Sequence, residues 1–419
     1  MQCRSPAVAR VAASRPLLFA LIGASLVLVL VSALRFQAPE LLGQHKVLTD
    51  FDAFHIAGHM AAQGKAGQTY HMHDMLTEQR RTTGTRSFMP WTYPPPFTLL
   101  MQGFANLPVG VAFALFTLAS YAFYLWILHR IAGKWFLAAI VAVLPAAILN
   151  LRTGQNGFLI AGLIGCFLLA LRNRQTAAGL PLGLMIIKPH LAAGVGLITL
   201  LQRRWTVLVV AGCVALALLG LSTWVYGTGI WFDFANGVKE ASAFLAAGYY
   251  PLFRMSSIYA AAYSLGLGAK ASMGIQVIAA VSALGLLGWV CLRGVGYRYL
   301  AALTCVVSLF VSPYGYDYDL TILGVGLAFI IPDLFERCSG REILGLLLLA
   351  WFVCGFGLGW STVMVKPNAA VLPGPDEGGI ALIAPALLVL CGRTSWLLRR
   401  RGKLVPEVRR RGLPADCAG

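Results

Sequence analysis

Two carboxylates, Asp50 and Asp52, stand two residues apart in Thr49-Asp50-Phe51-Asp52-Ala53-Phe54-His55, shortly after the first long apolar run. A carboxylate near a membrane surface is partly desolvated, which strengthens it as a base. Either residue therefore suits proton abstraction from a hydroxyl. Either also suits the N-cap of a helix starting there, where it would satisfy free backbone N–H groups. Cations recur between later apolar segments, in Arg152-Thr153-Gly154-Gln155-Asn156, in Lys188-Pro189-His190 and at Arg254. Gathered on one side of a membrane, they could hold a phosphate or pyrophosphate; separately, each could snorkel to lipid headgroups. Ser312-Pro313-Tyr314-Gly315-Tyr316-Asp317-Tyr318-Asp319 mixes aromatic faces with carboxylates, a combination suited to a hydroxyl-rich ligand or to a capped helix start with an aromatic belt. In Trp91-Thr92-Tyr93-Pro94-Pro95-Pro96 the prolines forbid helix until about residue 97 and predict a rigid re-entry into the membrane. His55 and His59, then His71-x-His73-Asp74, have spacings that zinc can use, but no H-E-x-x-H order accompanies them, and we expect no metal.

The elements that must position these residues are membrane helices. Of 419 residues, 58% are hydrophobic and 12% charged, against about 25% charged in a soluble domain. Apolar runs predict spans at 15–35, 108–128, 135–150, 156–172, 176–188, 189–202, 205–226, 271–292, 298–312, 318–333, 343–361 and 379–397. The expected fold is an all-α polytopic membrane protein of about 10–12 helices, a single unit over 1–398 with a basic tail at 399–419. Several spans fall short of the ~20 residues a full crossing needs, and short or broken helices usually line a cavity. Outer segments 36–96 and 227–270 are too long for simple turns, which predicts short interfacial helices within them. The nine cysteines are scattered without a close pair, so neither a disulfide framework nor a zinc site is read from them.

The net charge of +17 sits mostly at the ends of apolar runs, where it sets topology; no nucleic-acid partner is expected. With the N-terminus, the loops near 130, 173, 203, 295 and 338, and the C-terminal tail assigned to the cytoplasm, that side holds 21 of the 33 Lys and Arg residues. Eleven of the 16 acidic residues fall on the other side. The first run, beginning at Pro16 behind Arg4, Arg10 and Arg15, reads as an uncleaved first helix. Taken as one helix, 176–202 would separate Arg172 and Arg174 from Arg203 and Arg204 across the membrane. Taken as a hairpin of two half-length helices, it keeps all four on one side and puts Lys188 at the tip.

The motifs, in order, resemble glycosyltransferase family 87: D-F-x-x-aromatic at Asp50 to Phe54, Gly64 to Tyr70, Tyr93-Pro94-Pro95, Gly154-Gln155, Gly183 to Lys188-Pro189, and Ser312-Pro313 to Tyr318-Asp319. The resemblance covers about residues 45–320 and implies a GT-C-like bundle with short and re-entrant helices. It also implies transfer of a sugar, mannose foremost, from a polyprenyl-phosphate donor to a lipid or glycan hydroxyl on the outer face of a bacterial-type plasma membrane. The base role maps onto Asp50, with Asp52 a competing second acid. Lys188, with Arg152 or Arg254, would stabilise the leaving phosphate, and His190, Gln155, Tyr93, Tyr318 and Asp319 would complete the substrate site. The family's usual tyrosine is Phe54 here. The lipid-linked sugar is the co-substrate and no cofactor is implied. Outside this resemblance, the broken helices also fit a secondary transporter, or a flippase or polymerase of lipid-linked glycans.

The charge asymmetry predicts that 36–96 faces the exterior and the C-terminus the cytoplasm. In a cysteine-free background, an impermeant thiol reagent applied to intact cells should label Gln68→Cys and spare Gly402→Cys; the reverse pattern inverts the topology.

Overall fold

The computed structural model of the chain describes residues 14–43, 48–84, 88–363 and 379–400. The basic tail beyond Arg400, together with Cys3 and Cys417, lies outside the described residues. The chain is 82% helical with no strands among the described residues, the all-α membrane architecture expected. The helices in chain order are α1 (Arg15–Leu42), α2 (Asp50–Ala62), α3 (Met72–Thr83), α4 (Pro95–Gln102), α5 (Val109–Ala132), α6 (Phe136–Ala142), α7 (Leu144–Thr153), α8 (Gly157–Arg172) and α9 (Gly179–Leu184). They continue as α10 (Ala193–Leu201), α11 (Trp205–Tyr226), α12 (Ile230–Ala246), α13 (Ile258–Ser264), α14 (Ala269–Leu292), α15 (Tyr297–Val311), α16 (Thr321–Arg337), α17 (Gly340–Val363) and α18 (Ile383–Arg400).

Among the described residues, six stretches are long and apolar enough to cross a bilayer: α1, α5 with α6, α11, α14, α16 with the turn before it, and α17. Four shorter apolar stretches, Gly157–Arg172, Thr176–Ile187, Pro189–Leu201 and Tyr297–Val311, accompany them. Burial separates two roles. Only 17% of the apolar window of α11 or α14 is covered by protein, whereas 89% of that of Asp317–Arg337 is. The segment from Asp317 is therefore the central post, and α5, α8 and α15 pack around it.

Several boundaries differ from those read in the sequence. The first helix continues through Pro39 to a left-handed Gly43 cap, so the outer segment starts later than Phe36. The expected span 135–150 is split at Val143 into α6 and α7, because Pro145 has no N–H to continue the helical ladder. The last helix starts at Ile383 and is not among the six, since Arg393, Arg399 and Arg400 lie on it.

The 176–202 segment folds back at Lys188. Cβ positions on Gly179 and Gly183 would lie 2.6 Å from Val207 O and Ala211 O, so α9 runs alongside α11 in the same direction. Since α10 lies between them in the chain, it must return antiparallel, as in the hairpin. The basic loops gather at the other end of the bundle. There Trp135 packs on Phe335, Tyr297 Oη donates to Leu168 O, and Arg337 donates to Leu398 O. Both segments expected to lie outside carry helices, α2 and α3 in the first and the 17-residue α12 and short α13 in the second, linked by His71 Nε2 to Asp233 Oδ1 at 3.2 Å.

One glycine is indispensable to this end of the bundle. Gly154 closes α7 at φ +67°, and a Cβ there would stand 2.7 Å from the Phe113 ring and 2.8 Å from Phe51 Cβ. We expect Gly154→Ala to cost about 2–4 kcal/mol, from left-handed strain plus overpacking. Gly212→Ala, on α11 with nothing within 4 Å, should be neutral. Thermal unfolding in detergent checks the contrast.

Candidate functional site

The turns at the end of the bundle that holds Lys188 converge on one cavity of about 490 Å³. Asp50 reaches it from the first turn of α2, Tyr93 from the proline-stiffened loop, and Gln155 from the turn after Gly154. Lys188 and His190 come from the hairpin tip, Arg254 from the second outer segment, and Tyr316 and Tyr318 from the start of the central post. Trp91, Tyr249, Tyr250 and Tyr314 complete a strongly aromatic wall.

Its foundation is the alternating run Tyr316-Asp317-Tyr318-Asp319. Both carboxylates are fully buried, and both tyrosines line the cavity. Lys188 Nζ donates to Asp319 Oδ1 at 2.6 Å and stands 4.7 Å from the centre of the Tyr318 ring. Arg254 grips Asp317 with two donors, Nε to Oδ2 and Nη2 to Oδ1, each at 3.1 Å, and lies 5.7 Å from the Tyr316 ring centre. The two rings stack, with centroids 5.4 Å apart and planes within 8°. The site thus repeats one unit twice: a cation on a tyrosine face, tied to an aspartate beside that tyrosine in the chain. Burial works against the Arg254 charge, but the Asp317 and Asp50 carboxylates outweigh it and hold the guanidinium above its ordinary range. An antiparallel bridge between Met255 and Tyr316, with Ser256 N donating to Gly315 O at 2.8 Å, fixes the second outer segment against the post.

Asp50 lies in a different setting. Its Oδ1 accepts from Gln155 Nε2 at 3.0 Å. Gln155 Oε1 accepts in turn from Tyr93 Oη at 3.2 Å and from the Asn156 backbone N at 3.1 Å. Burial, then the Asp319 and Asp50 charges, push the Tyr93 phenol well above its ordinary range, so it remains a donor. Tyr70, the end of the Gly64-to-Tyr70 motif, holds this loop by donating to Tyr93 O at 2.9 Å.

Three sequence candidates are placed otherwise than expected. Asp52 is buried and accepts from Thr49 N at 3.0 Å and Thr49 Oγ1 at 2.8 Å, closing a capping box rather than facing the cavity. Arg152 is exposed on the last turn of α7, outside the cavity, because the left-handed step at Gly154 turns the chain inward only after it. Asp319 lies behind the wall as the counter-ion of Lys188 and does not line the cavity. His190 does line it, and its Nε2 is buried without a partner among the described residues. The other histidines are dispersed: His55 contacts Leu107 O, His59 contacts Gln63, and His71 lies between Asp74 and Asp233. Asp317 was not singled out from the sequence; its alternation with Tyr316 and Tyr318 was the available signal.

Compared with known families, residues 91–313 match the model of glycosyltransferase family 87, more than half of the chain. The match contains Tyr93, Gln155, Lys188, His190 and Arg254, while Asp50 and the Tyr316–Asp319 run lie outside it. Neither the curated proteins nor the solved structures contain a match.

The ion pairing generates a stability test. Asp317→Asn leaves a largely buried guanidinium without its counter-charge and should cost about 3–5 kcal/mol. Asp52→Asn, which weakens a helix cap, should cost about 1 kcal/mol. Thermal unfolding of the purified variants in one detergent compares them; equal losses would deny the Asp317 pair its structural weight.

Proposed function

Because the chain belongs to glycosyltransferase family 87, and is thereby a membrane glycosyltransferase, we propose that it moves a sugar from a polyprenyl-phosphate donor to an acceptor hydroxyl. The acceptor is a lipid or glycan, the reaction takes place on the outer face of the plasma membrane, and mannose is the first candidate sugar. The supporting observation is the placement of the Asp50 carboxylate and two cationic side chains, Lys188 and Arg254, around one aromatic cavity at the end of a bundle of apolar helices.

The chemistry follows from these groups. Asp50 takes the proton of the acceptor hydroxyl as its oxygen attacks the anomeric carbon. The bond from that carbon to the phosphate oxygen breaks with its electron pair going to phosphate, and the single displacement inverts the anomeric centre. The donor begins as a phosphodiester and leaves as a monoester, so negative charge grows on the leaving phosphate. Lys188 spends one of its three donors on Asp319 and Arg254 spends two of its five on Asp317, leaving N–H groups to meet that charge. The tyrosines and Trp91 offer faces for sugar rings, and His190 lines the same cavity.

Asp50→Asn keeps the size of the side chain and removes its capacity to take a proton. With purified protein and radiolabelled polyprenyl-phosphate mannose, we expect sugar transfer to fall by about 10²–10⁴-fold while donor binding persists. An Asp50→Asn variant with full activity ends the proposed mechanism. Movement of the donor across a vesicle membrane with its sugar–phosphate bond intact favours a transporter instead.

A further inference from the structure

The orientation of the Gln155 amide is dictated from both ends. An amide side chain can usually be turned over without visible difference, because its oxygen and nitrogen are alike in shape. Here the Asn156 backbone N–H, 3.1 Å away, can only donate, so the atom facing it must be the Gln155 oxygen. Tyr93 Oη supplies a second donor to that oxygen at 3.2 Å. The Gln155 NH₂ is left pointing at Asp50 Oδ1, 3.0 Å away. The backbone beneath is equally constrained. Gly154 is wedged between Phe113 and Phe51, and a Cβ on Gly157 would collide with Tyr318 O. Asn150 Nδ2 and Thr321 Oγ1 tie the turn to the central post, at 2.9 Å to Tyr318 O and 2.9 Å to Gly157 O.

We propose that Gln155 is a positioning residue for the Asp50 base, held by Tyr93 and the Asn156 N–H, and does not itself bind the donor phosphate. The inference rests on the glycosyl-transfer reading above. The amide occupies Oδ1 and leaves Oδ2, which has no protein partner among the described residues, as the oxygen that receives the acceptor proton. It fixes the carboxylate plane relative to the cavity. Tyr93, pinned by Tyr70 through its carbonyl, transmits the rigidity of the proline loop to this amide. Two of the family-like motifs, Tyr93-Pro94-Pro95 and Gly154-Gln155, thereby converge on a third, the one that begins at Asp50.

The test uses the full-length protein in nanodiscs, with short-chain polyprenyl-phosphate hexoses and pentoses as donors, octyl mannoside as acceptor, and release of polyprenyl phosphate as a second readout. Gln155→Leu should lower kcat by about 10- to 100-fold, the effect of losing a hydrogen bond to a charged group, with donor KM changed by less than about threefold. Gln155→Glu should be more impaired at neutral pH, because two facing carboxylates resist carrying two charges, and should recover part of the loss as pH falls and the new carboxyl gains a proton to donate. A lower kcat in Gln155→Leu, with Gln155→Glu equally impaired at every pH, would reduce Gln155 to a packing role. A loss confined to donor KM would make it a substrate ligand. Unchanged kinetics in Gln155→Leu beside an active wild type overturn this inference alone, whereas a wild type that releases polyprenyl phosphate from none of these donors overturns the proposed function as well.

Discussion

Asp317 and Asp319, fully buried and separated by one residue, set the charge balance on which the cavity end of this protein depends. A carboxylate removed from water needs a counter-charge and hydrogen bonds, or it is very costly. Here the counter-charges come from distant parts of the chain, Lys188 at a hairpin tip and Arg254 in an outer segment. Each pairing therefore does two things. It neutralises a buried acid, and it ties an element distant in the chain to the central post. Because the intervening tyrosines point toward the cavity, the cations are also held at its wall with donors to spare. The bilayer-facing helices α11 and α14, little covered by protein, have no comparable polar anchor among the contacts that build the site.

Glycine and proline supply the complementary rigidity. The Tyr93 loop cannot wander because three consecutive prolines follow it, and the Gln155 turn cannot shift because its flanking glycines sit against aromatic rings and backbone. Stiff backbone on one side and paired charge on the other leave a cavity whose polar groups face inward in fixed directions. Preorganisation of this kind is what makes electrostatic groups effective toward charge that develops during a reaction.

Much of this was legible in the residues. Apolar runs and the placement of arginines foretold the membrane helices and the fold-back at Lys188, and the span 205–226 has the same limits in the structure. Asp50, Tyr93, Gln155, Lys188, His190, Arg254 and Tyr318 do meet in one cavity. What could not be read has physical causes. Asp50 and Asp52 differ in role because on a helix two residues apart means nearly opposite faces, and only the start of α2 decides which one caps. Arg152 was grouped with the other cations because sequence shows its neighbours but not the left-handed step that follows it. The Arg254 to Asp317 pair spans 63 residues, and no local pattern reports such a partner. The aromatic wall formed by Tyr249 and Tyr250 with Tyr314 is likewise a product of tertiary packing.

The sequence distances in the site also bear on how a ribosome and an insertion machinery would make it. Gln155 waits for nothing, since its partner Asp50 is 105 residues earlier, but Lys188 precedes Asp319 by 131 residues and Arg254 precedes Asp317 by 63. During synthesis Lys188 and Arg254 are made before the carboxylates that pair with them. Only when the Tyr316–Asp319 run arrives can they gain these partners. The two ion pairs can close only once this late-made segment is present, and a chain that stops short of it holds Asp50 and Gln155 without either pair.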